Sequence, residues 1–307
     1  MPSRVFLTGA SGFVGSAILD ELVSRGYPVQ ALVHHHSLRG AGEQVRAFEG
    51  DLFDDKTLDQ AMAGCEAVIH VVGIIMEKPS RGVTFQRIHY EGTKSIVDAA
   101  IRNGAKRFIH MSALGSRPDA VSNYHKTKFR AEQYVRQSSL DWTIFRPSLI
   151  HGPRGEFMQM QAMWSRMRAP APIFFMPFMP YFGGKKAGHL QPVFVGDVAR
   201  AFVDALENPK TIGEIYLLAG PDQLTWPELH HTVSQAVVGR KRMVASMPVP
   251  VAKLLAAIGV GKLLGFNRDQ VIMSQEENTC DLSKFEDAFG WTPKPFEPML
   301  REYASQL

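Results

Sequence analysis

The sequence predicts an α/β protein: a doubly wound parallel sheet with a smaller, mostly helical C-terminal domain interleaved with it. Three observations predict this. Short apolar runs alternate with helix-period segments through the first half of the 307 residues, the signature of βαβ units. A glycine-rich turn, Gly9 to Gly15, sits between the first strand and the first helix. The alternation breaks after Arg146, where Met, Pro, Gly and Phe become frequent.

The elements follow in order. Residues 4–8 read as a strand and 13–25 as a helix. Strands are expected at 28–33 and 45–50, a short helix at 56–63 and a strongly apolar strand at 67–72. One long helix is expected over 84–103, then a strand over 107–112, a helix over 123–137 and a strand over 142–146. Right-handed crossovers place these helices on both faces of the sheet. Residues 1–150 thus form the first domain. The segment 188–219, with a helix from Gly196 and a strand from Glu214, returns to it. Residues 151–187 and 220–307 form a substrate or lid region, built from 221 onward mostly of short helices.

The run Thr8-Gly9-Ala10-Ser11-Gly12-Phe13-Val14-Gly15 carries the first functional signal. Gly9 permits a tight turn, Gly12 lets the backbone approach a pyrophosphate, and Gly15 lets the helix pack closely. The free N–H groups at the helix start face an anion. The spacing is G-x-x-G-x-x-G, and its position after a strand and before a helix points to a dinucleotide in a Rossmann-type site. The second strand ends in His34-His35-His36, with Arg39 nearby and no carboxylate between Glu21 and Glu43. A carboxylate there would repel a 2′-phosphate, so the cofactor reads as NADP, with NAD admitted. Consecutive strand residues point to opposite faces, so the three histidines do not read as a metal site.

Tyr124 and Lys128 open the 123–137 helix. At spacing i,i+4 the phenol and the ammonium share one face, and the ammonium is expected to lower the phenol pKa for acid–base work. Ser112 ends the preceding strand at the edge where open α/β sheets bind ligands. Two decoys share the Y-x-x-x-K spacing: Tyr90–Lys94 lacks a strand-end serine, and Tyr181–Lys185 lies in a Pro/Gly-rich loop.

Composition excludes several classes. A net charge of +4 without a basic, aromatic-interleaved stripe speaks against nucleic acid. Cys65 and Cys280 are far apart and suit a reducing compartment. No signal-peptide pattern opens the chain, and the expected localisation is cytoplasmic. The most apolar stretch, 248–266, contains Pro250, Lys253, Gly259, Gly261 and Lys262. It reads as an amphipathic helix packed on a domain, ahead of a membrane contact.

The runs TGASGFVG at 8–15, GDL at 50–52, VIHVVG at 68–73, RFIHMSALGS at 107–116, YHKTK at 124–128 and WTIFRPSLIHGP at 142–153 resemble the short-chain dehydrogenase/reductase superfamily in its extended or atypical branch. Within it they look most like the nucleotide-binding accessory subunit of respiratory complex I and its free-standing bacterial relatives. The resemblance implies Asp51 and Leu52 at the adenine, Val72 and Gly73 along the cofactor path, and Pro147 and Ser148 near the nicotinamide. It implies Tyr124 as acid–base, with Lys128 also holding the nicotinamide ribose. Extended members often have Asn where this chain has His89, and relatives often have Arg where it has His34.

Phe157, Met160, Trp164 and Met167 fall at helical spacing before a Pro/Phe/Met-rich run from Pro170 to Phe182. That region reads as interdomain core, as a lid over an apolar substrate, or as a contact for a membrane or partner. Two functions follow. One is an NADP-preferring oxidoreductase or epimerase-like enzyme acting on a small molecule through Ser112, Tyr124 and Lys128. The other is a non-catalytic nucleotide-binding protein that serves a respiratory membrane complex. The helices over 84–103 and 123–137 could form a homodimer face.

Overall fold

The structure is a computed structural model. It describes residues 3–34, 38, 42–168, 178–183, 188–263, 266, 268–276 and 278–307. Expectations that fall on His35, His36, Arg39, Lys185 and the run 169–177 lie outside the described residues.

The chain runs β1 (Val5–Thr8), α1 (Phe13–Ser24), β2 (Val29–Val33), β3 (Val45–Glu49), α2 (Asp55–Met62), β4 (Ala67–His70), α3 (Gly92–Arg102), β5 (Arg107–Met111), α4 (Asn123–Gln137) and β6 (Asp141–Pro147). Then come β7 (Ile150–His151), α5 (Glu156–Ser165), β8 (Phe178–Phe182), β9 (Val193–Phe194), α6 (Val195–Glu207) and β10 (Glu214–Leu218). The remainder is α7 (Trp226–Val238), β11 (Met243–Met247), α8 (Val249–Ala257), α9 (Val260–Leu263), α10 (Arg268–Met273), α11 (Ser283–Phe289) and α12 (Phe296–Tyr303).

Seven parallel strands form one sheet in the order β10-β6-β5-β4-β1-β2-β3. Order reverses between β1 and β4, which pair in register from Val5↔Ala67 to Thr8↔His70. A crevice opens at the carboxyl ends of such strands, and ligands bind there. The central strands β1 and β4 are buried along their whole length, which is why they read as unbroken apolar runs. One face is covered by α2, α3 and α4 through Leu58, Met62, Ile96, Val97 and Val135. On the other face α1 packs on α6. Arg25 of α1 pairs with Asp204 of α6 at 2.6 Å.

The chain divides into two compact units. The first comprises residues 1–147, 195–218 and 282–291. The second comprises 148–194, 219–281 and 292–307. Sequence reading assigns 282–291 to the substrate region, whereas here α11 joins the sheet unit. Phe289 of α11 packs on Phe145 and Tyr216, with centroids 5.8 and 5.2 Å away. Nothing local in the sequence marks that long-range contact.

The first unit departs from the expected single helix over 84–103. Residues 86–91 form a π-helical turn that runs into α3. Such bulges cluster at functional sites. Within the second unit, β11 pairs in parallel with β8, from Met243↔Phe178 to Met247↔Phe182. From residue 221 onward mostly short helices are expected from sequence, and β11 is not anticipated. The apolar stripe of α5 is also offset from the expected one. Met158, Gln161, Ala162 and Ser165 are buried, whereas Phe157, Met160 and Trp164 are half-buried and Met167 is exposed. Met158 joins Leu229, Val233, Phe296 and Leu300 in the core of this unit.

Candidate nucleotide and active site

The glycine turn is built as its residues require. Gly9 has φ +77°, a left-handed conformation open to glycine. The Gly12 N–H donates to the Gly9 carbonyl at 2.9 Å, and the first intrahelical bond of α1 runs from Ser16 N–H to Gly12 O. No side chain caps the helix. The N–H groups of Phe13, Val14 and Gly15 therefore have no partner within it, the arrangement that receives a phosphate. Ser11 is exposed beside them, and Phe13 and Val14 are half-buried.

Gly15 is the strictest of the three glycines, for a reason other than helix–sheet packing. A Cβ there would sit 1.9 Å from the Gly9 carbonyl oxygen and 2.5 Å from its carbon. At Gly12 the nearest atom, the same oxygen, would be 3.2 Å away. Gly15→Ala is therefore expected to force the turn open. Overpacking of this kind costs roughly 1–3 kcal/mol, and dinucleotide affinity should fall by at least about tenfold, equivalent to ~1.4 kcal/mol. Isothermal titration of the variant checks this, and wild-type affinity would refute it.

The strand beyond the switch point meets this turn. Val71 and Val72 Cγ2 atoms lie 3.2 and 3.4 Å from where a Gly9 Cβ would stand. Gly73 is exposed, and a Cβ on it would lie 3.1 Å from Lys128 Nζ and 3.7 Å from His89 Nε2. A side chain at 73 would thus crowd the lysine. Gly73 keeps this path open, so the residues present fit a dinucleotide laid across the β1–β4 edge.

At the far end of that edge, His34 Nε2 lies 3.5 Å from Asp51 Oδ2, and both side chains are exposed. The sequence places no acid on the β2 end, yet the fold brings the Asp51 carboxylate to it. Leu52 is nearly buried in the core under α3 and holds Ser95 through its carbonyl at 2.6 Å.

Tyr124 and Lys128 open α4, which is capped by Ser122 accepting from His125 N–H. Lys128 is buried and donates to the Met111 carbonyl at the end of β5, at 2.9 Å. Burial lowers its ammonium pKa to about 8, against an opposing pull from Glu132. The Tyr124 ring stands edge-on to Phe85 and His89, with centroids 5.7 and 5.2 Å away. Burial pushes its phenol up to about 12. The expected lowering by the lysine is thus reversed in direction. The ammonium is turned onto a backbone carbonyl, and desolvation of the phenolate dominates.

His89 lies in the π-helical turn and clamps two elements together. Its Nδ1 lies 3.0 Å from Thr127 Oγ1 of α4. The Thr127 hydroxyl spends its proton on backbone carbonyls of α4, so Nδ1–H donates to its oxygen. Nε2 lies 3.1 Å from both the Ile74 N–H and the Ile74 carbonyl oxygen, and with the proton on Nδ1 it accepts from the N–H. Burial, then the Lys128 charge, holds His89 well below the usual histidine range. It is neutral and positions the loop after β4.

Ser112 is brought to the strand end but is engaged elsewhere. Its hydroxyl donates to the buried Glu132 carboxylate and accepts from the Ser116 hydroxyl at 3.2 Å. Glu132 also accepts two bonds from Arg146, at 2.8 and 2.6 Å. Sequence reading misses this Glu132–Arg146 pair. The spacing Tyr124, Lys128, Glu132 is i, i+4, i+8 along one helix face and could have revealed it. Pro147 ends β6 and accepts from Leu114 N–H at 2.9 Å. Ser148 is buried in the second unit, its hydroxyl given to the Gln191 carbonyl.

Of the decoys, Lys94 pairs with Asp98 at 2.5 Å on the surface. Arg130 lies over the Tyr90 ring at 4.3 Å.

Residues 9–161 match a family model described as NAD(P)H-binding. Over 258 residues the chain is 29% identical to NADH dehydrogenase (ubiquinone) 1 alpha subcomplex subunit 9, mitochondrial, of Arabidopsis thaliana, covering 81% of this chain and 61% of that protein. The chain thus spans about three-fifths of that relative's length. It is 28% identical over 249 residues to ceramide reductase of Caulobacter vibrioides, covering 80% and 74% of the two chains. In fold it resembles the UDP-glucose 4-epimerase of Thermotoga maritima, with a TM-score of 0.75, 19% identity and coverage of 99% and 98%. The glycine turn, the strand order and the family match together make residues 9–161 an NAD(P)H-binding domain, in a fold shared with short-chain dehydrogenase/reductase and epimerase structures.

Proposed function

We propose that the protein is an NADP-preferring reductase that acts on an apolar ketone or aldehyde, with Tyr124 as general acid. The observation that carries this reading is that Tyr124 and the buried Lys128 stand one turn apart on α4, with Lys128 Nζ 3.1 Å from where a Cβ on Gly73 would stand, at the switch-point edge. When bound, the reduced nicotinamide supplies the hydride that goes to the carbonyl carbon. The Tyr124 hydroxyl gives its proton to the carbonyl oxygen. The Lys128 ammonium, anchored on the Met111 carbonyl, binds the nicotinamide ribose. A phenol held at about 12 keeps its proton across the working range and favours the reductive direction. The phosphates rest on the N–H groups of Phe13, Val14 and Gly15. The adenosine end lies near His34, Asp51 and Leu52, and the nicotinamide near Val72, Gly73, Pro147 and Ser148. A lipid-like substrate accords with the ceramide reductase likeness. Asp51 beside His34 tempers the preference for NADP, and NAD remains an accepted cofactor.

One observation favours a second reading. Ser112 gives its hydroxyl to Glu132, which leaves the site without the serine that usually assists a carbonyl. That arrangement, with the complex I likeness, suits a protein that holds its nucleotide without turnover.

Titration with NADPH and NADH, then a carbonyl screen with wild type and Tyr124→Phe, separates the two. The reductase should bind NADPH more tightly than NADH. Tyr124→Phe should keep that binding and lose roughly 100-fold or more in kcat. The rate should fall above pH 8 as Lys128 loses its proton. A nucleotide that co-purifies and never exchanges, with no reaction in either form, would establish the second reading. Binding of neither nucleotide would overturn both.

A further inference from the structure

We infer that the outer face of α8 is a docking surface for an anionic lipid bilayer. The inference is independent of the reaction proposed above and rests on the second unit alone.

The helix α8 is apolar on two sides. Its inner side carries the buried Ala252 and the partly buried Val249, Leu255 and Ala256, packed with Phe266 and Val271. Its outer side carries Val251, Leu254 and Ile258, at i, i+3 and i+7, and these are 46%, 61% and 63% exposed. The three fall within one narrow arc of the helix. A soluble surface helix normally turns polar residues outward, and a row of exposed aliphatics marks a contact site.

Charge names the occupant. From residue 229 to 268 the sequence holds no Asp or Glu, and it holds six basic residues: Arg240, Lys241, Arg242, Lys253, Lys262 and Arg268. Arg240, Lys241, Lys253 and Arg268 are exposed. Exposed aliphatic side chains in a segment that carries six basic residues and no acid fit the headgroup region of an anionic membrane, where lysine stems lie along the interface and their ammonium groups reach lipid phosphates. A second copy of this chain fits poorly, because the same positive segment would face itself. Three aliphatic side chains also fall well short of the ~800 Å² per partner that a stable protein interface buries. Shallow insertion asks for less apolar area. No helix among the described residues is long and apolar enough to cross a membrane, so the contact lies in the plane of the interface. The amphipathic reading of 248–266 therefore holds for the inner face of α8 and fails for the outer one.

Sedimentation of the full chain with vesicles tests this, using phosphatidylcholine alone and phosphatidylcholine with phosphatidylserine. Binding should be about tenfold stronger on the serine-lipid vesicles and should weaken steeply between about 0.1 and 0.5 M salt. The double variant Leu254→Ser/Ile258→Ser should bind about tenfold less, with unchanged melting temperature and NADPH affinity. Lys253→Glu should weaken binding to the anionic vesicles only. Equal binding to both vesicles, no binding to either, or undiminished binding by the double variant would overturn the inference. So would a concentration-dependent dimer that the double variant abolishes, since a second copy would then cover the face.

Discussion

Lowering the pH from 7 to 5 is expected to strip the protein of much of its stability, because the sheet unit is built around neutral histidines. His70 lies fully buried between Thr8 Oγ1, 2.7 Å from Nδ1, and Thr93 Oγ1, 3.0 Å from Nε2. Burial, then the nearby Lys128 charge, holds it at about 3. His110 stacks on it at 5.5 Å, and neither of its ring nitrogens has a partner among the described residues. It and His89 sit well below the ordinary histidine range. In the second unit, burial likewise holds His151 and His230 at about 3. Each of these folded-state values is depressed, so below about pH 6.5 the unfolded chain takes up protons that the folded chain refuses. Stability is thus fully present above pH 6.5 and is lost as the pH falls. The slope is roughly 1.4 kcal/mol per pH unit for each histidine. At pH 5 that is ~2 kcal/mol for His70 alone, out of a typical total of about 5–15, and His89 and His110 act in the same direction. Urea unfolding between pH 5 and 8 reads the slope. His110→Phe should reduce it by about one proton, because a ring with two unpartnered nitrogens is replaced by an apolar ring of similar shape. A flat profile between pH 5 and 7 would sink the argument.

The same residues show how far a sequence can be read. Val68-Ile69-His70 declares a buried strand, since a central parallel strand must be apolar on both faces. That declaration treats His70 as a passenger, and the Thr8 and Thr93 hydroxyls that satisfy it are 62 and 23 residues away. The glycine turn and the Tyr124–Lys128 spacing are local patterns and so are legible. What a hydroxyl or carboxylate does once the chain is folded is not. Ser112 ends its strand as expected, but the Glu132 that takes its hydroxyl comes from α4 and the Arg146 that fixes Glu132 comes from β6. The β8–β11 pair and the return of α11 to the sheet depend likewise on partners distant in sequence. Spacing gives the wrong direction for the Tyr124 shift, because it reports proximity and carries no information about desolvation.

Glu132→Ala is expected to be the most damaging single substitution near the site. The carboxylate is buried on α4, receives two Arg146 nitrogens and the Ser112 hydroxyl, and offsets the desolvation of Lys128. Removing it leaves a guanidinium whose side chain is only 20% exposed without its ion partner. Losing one member of such a buried pair costs roughly 3–5 kcal/mol. Glu132→Gln keeps the shape and one acceptor, and should cost less. The double variant Glu132→Met/Arg146→Met removes both charges and should recover much of the loss, since well-packed apolar pairs often match buried ion pairs. Stability alone would not tie Glu132 to the site. The distinguishing readout is the basic limb of the pH–rate profile. Without Glu132 the Lys128 ammonium loses its stabilising neighbour, so its pKa should drop below about 8 and the limb should move to lower pH. A destabilised variant with an unmoved limb would confine Glu132 to holding α4 against β6. A limb that moves in Glu132→Ala and less in Glu132→Gln would make it a positioning residue that keeps Lys128 charged.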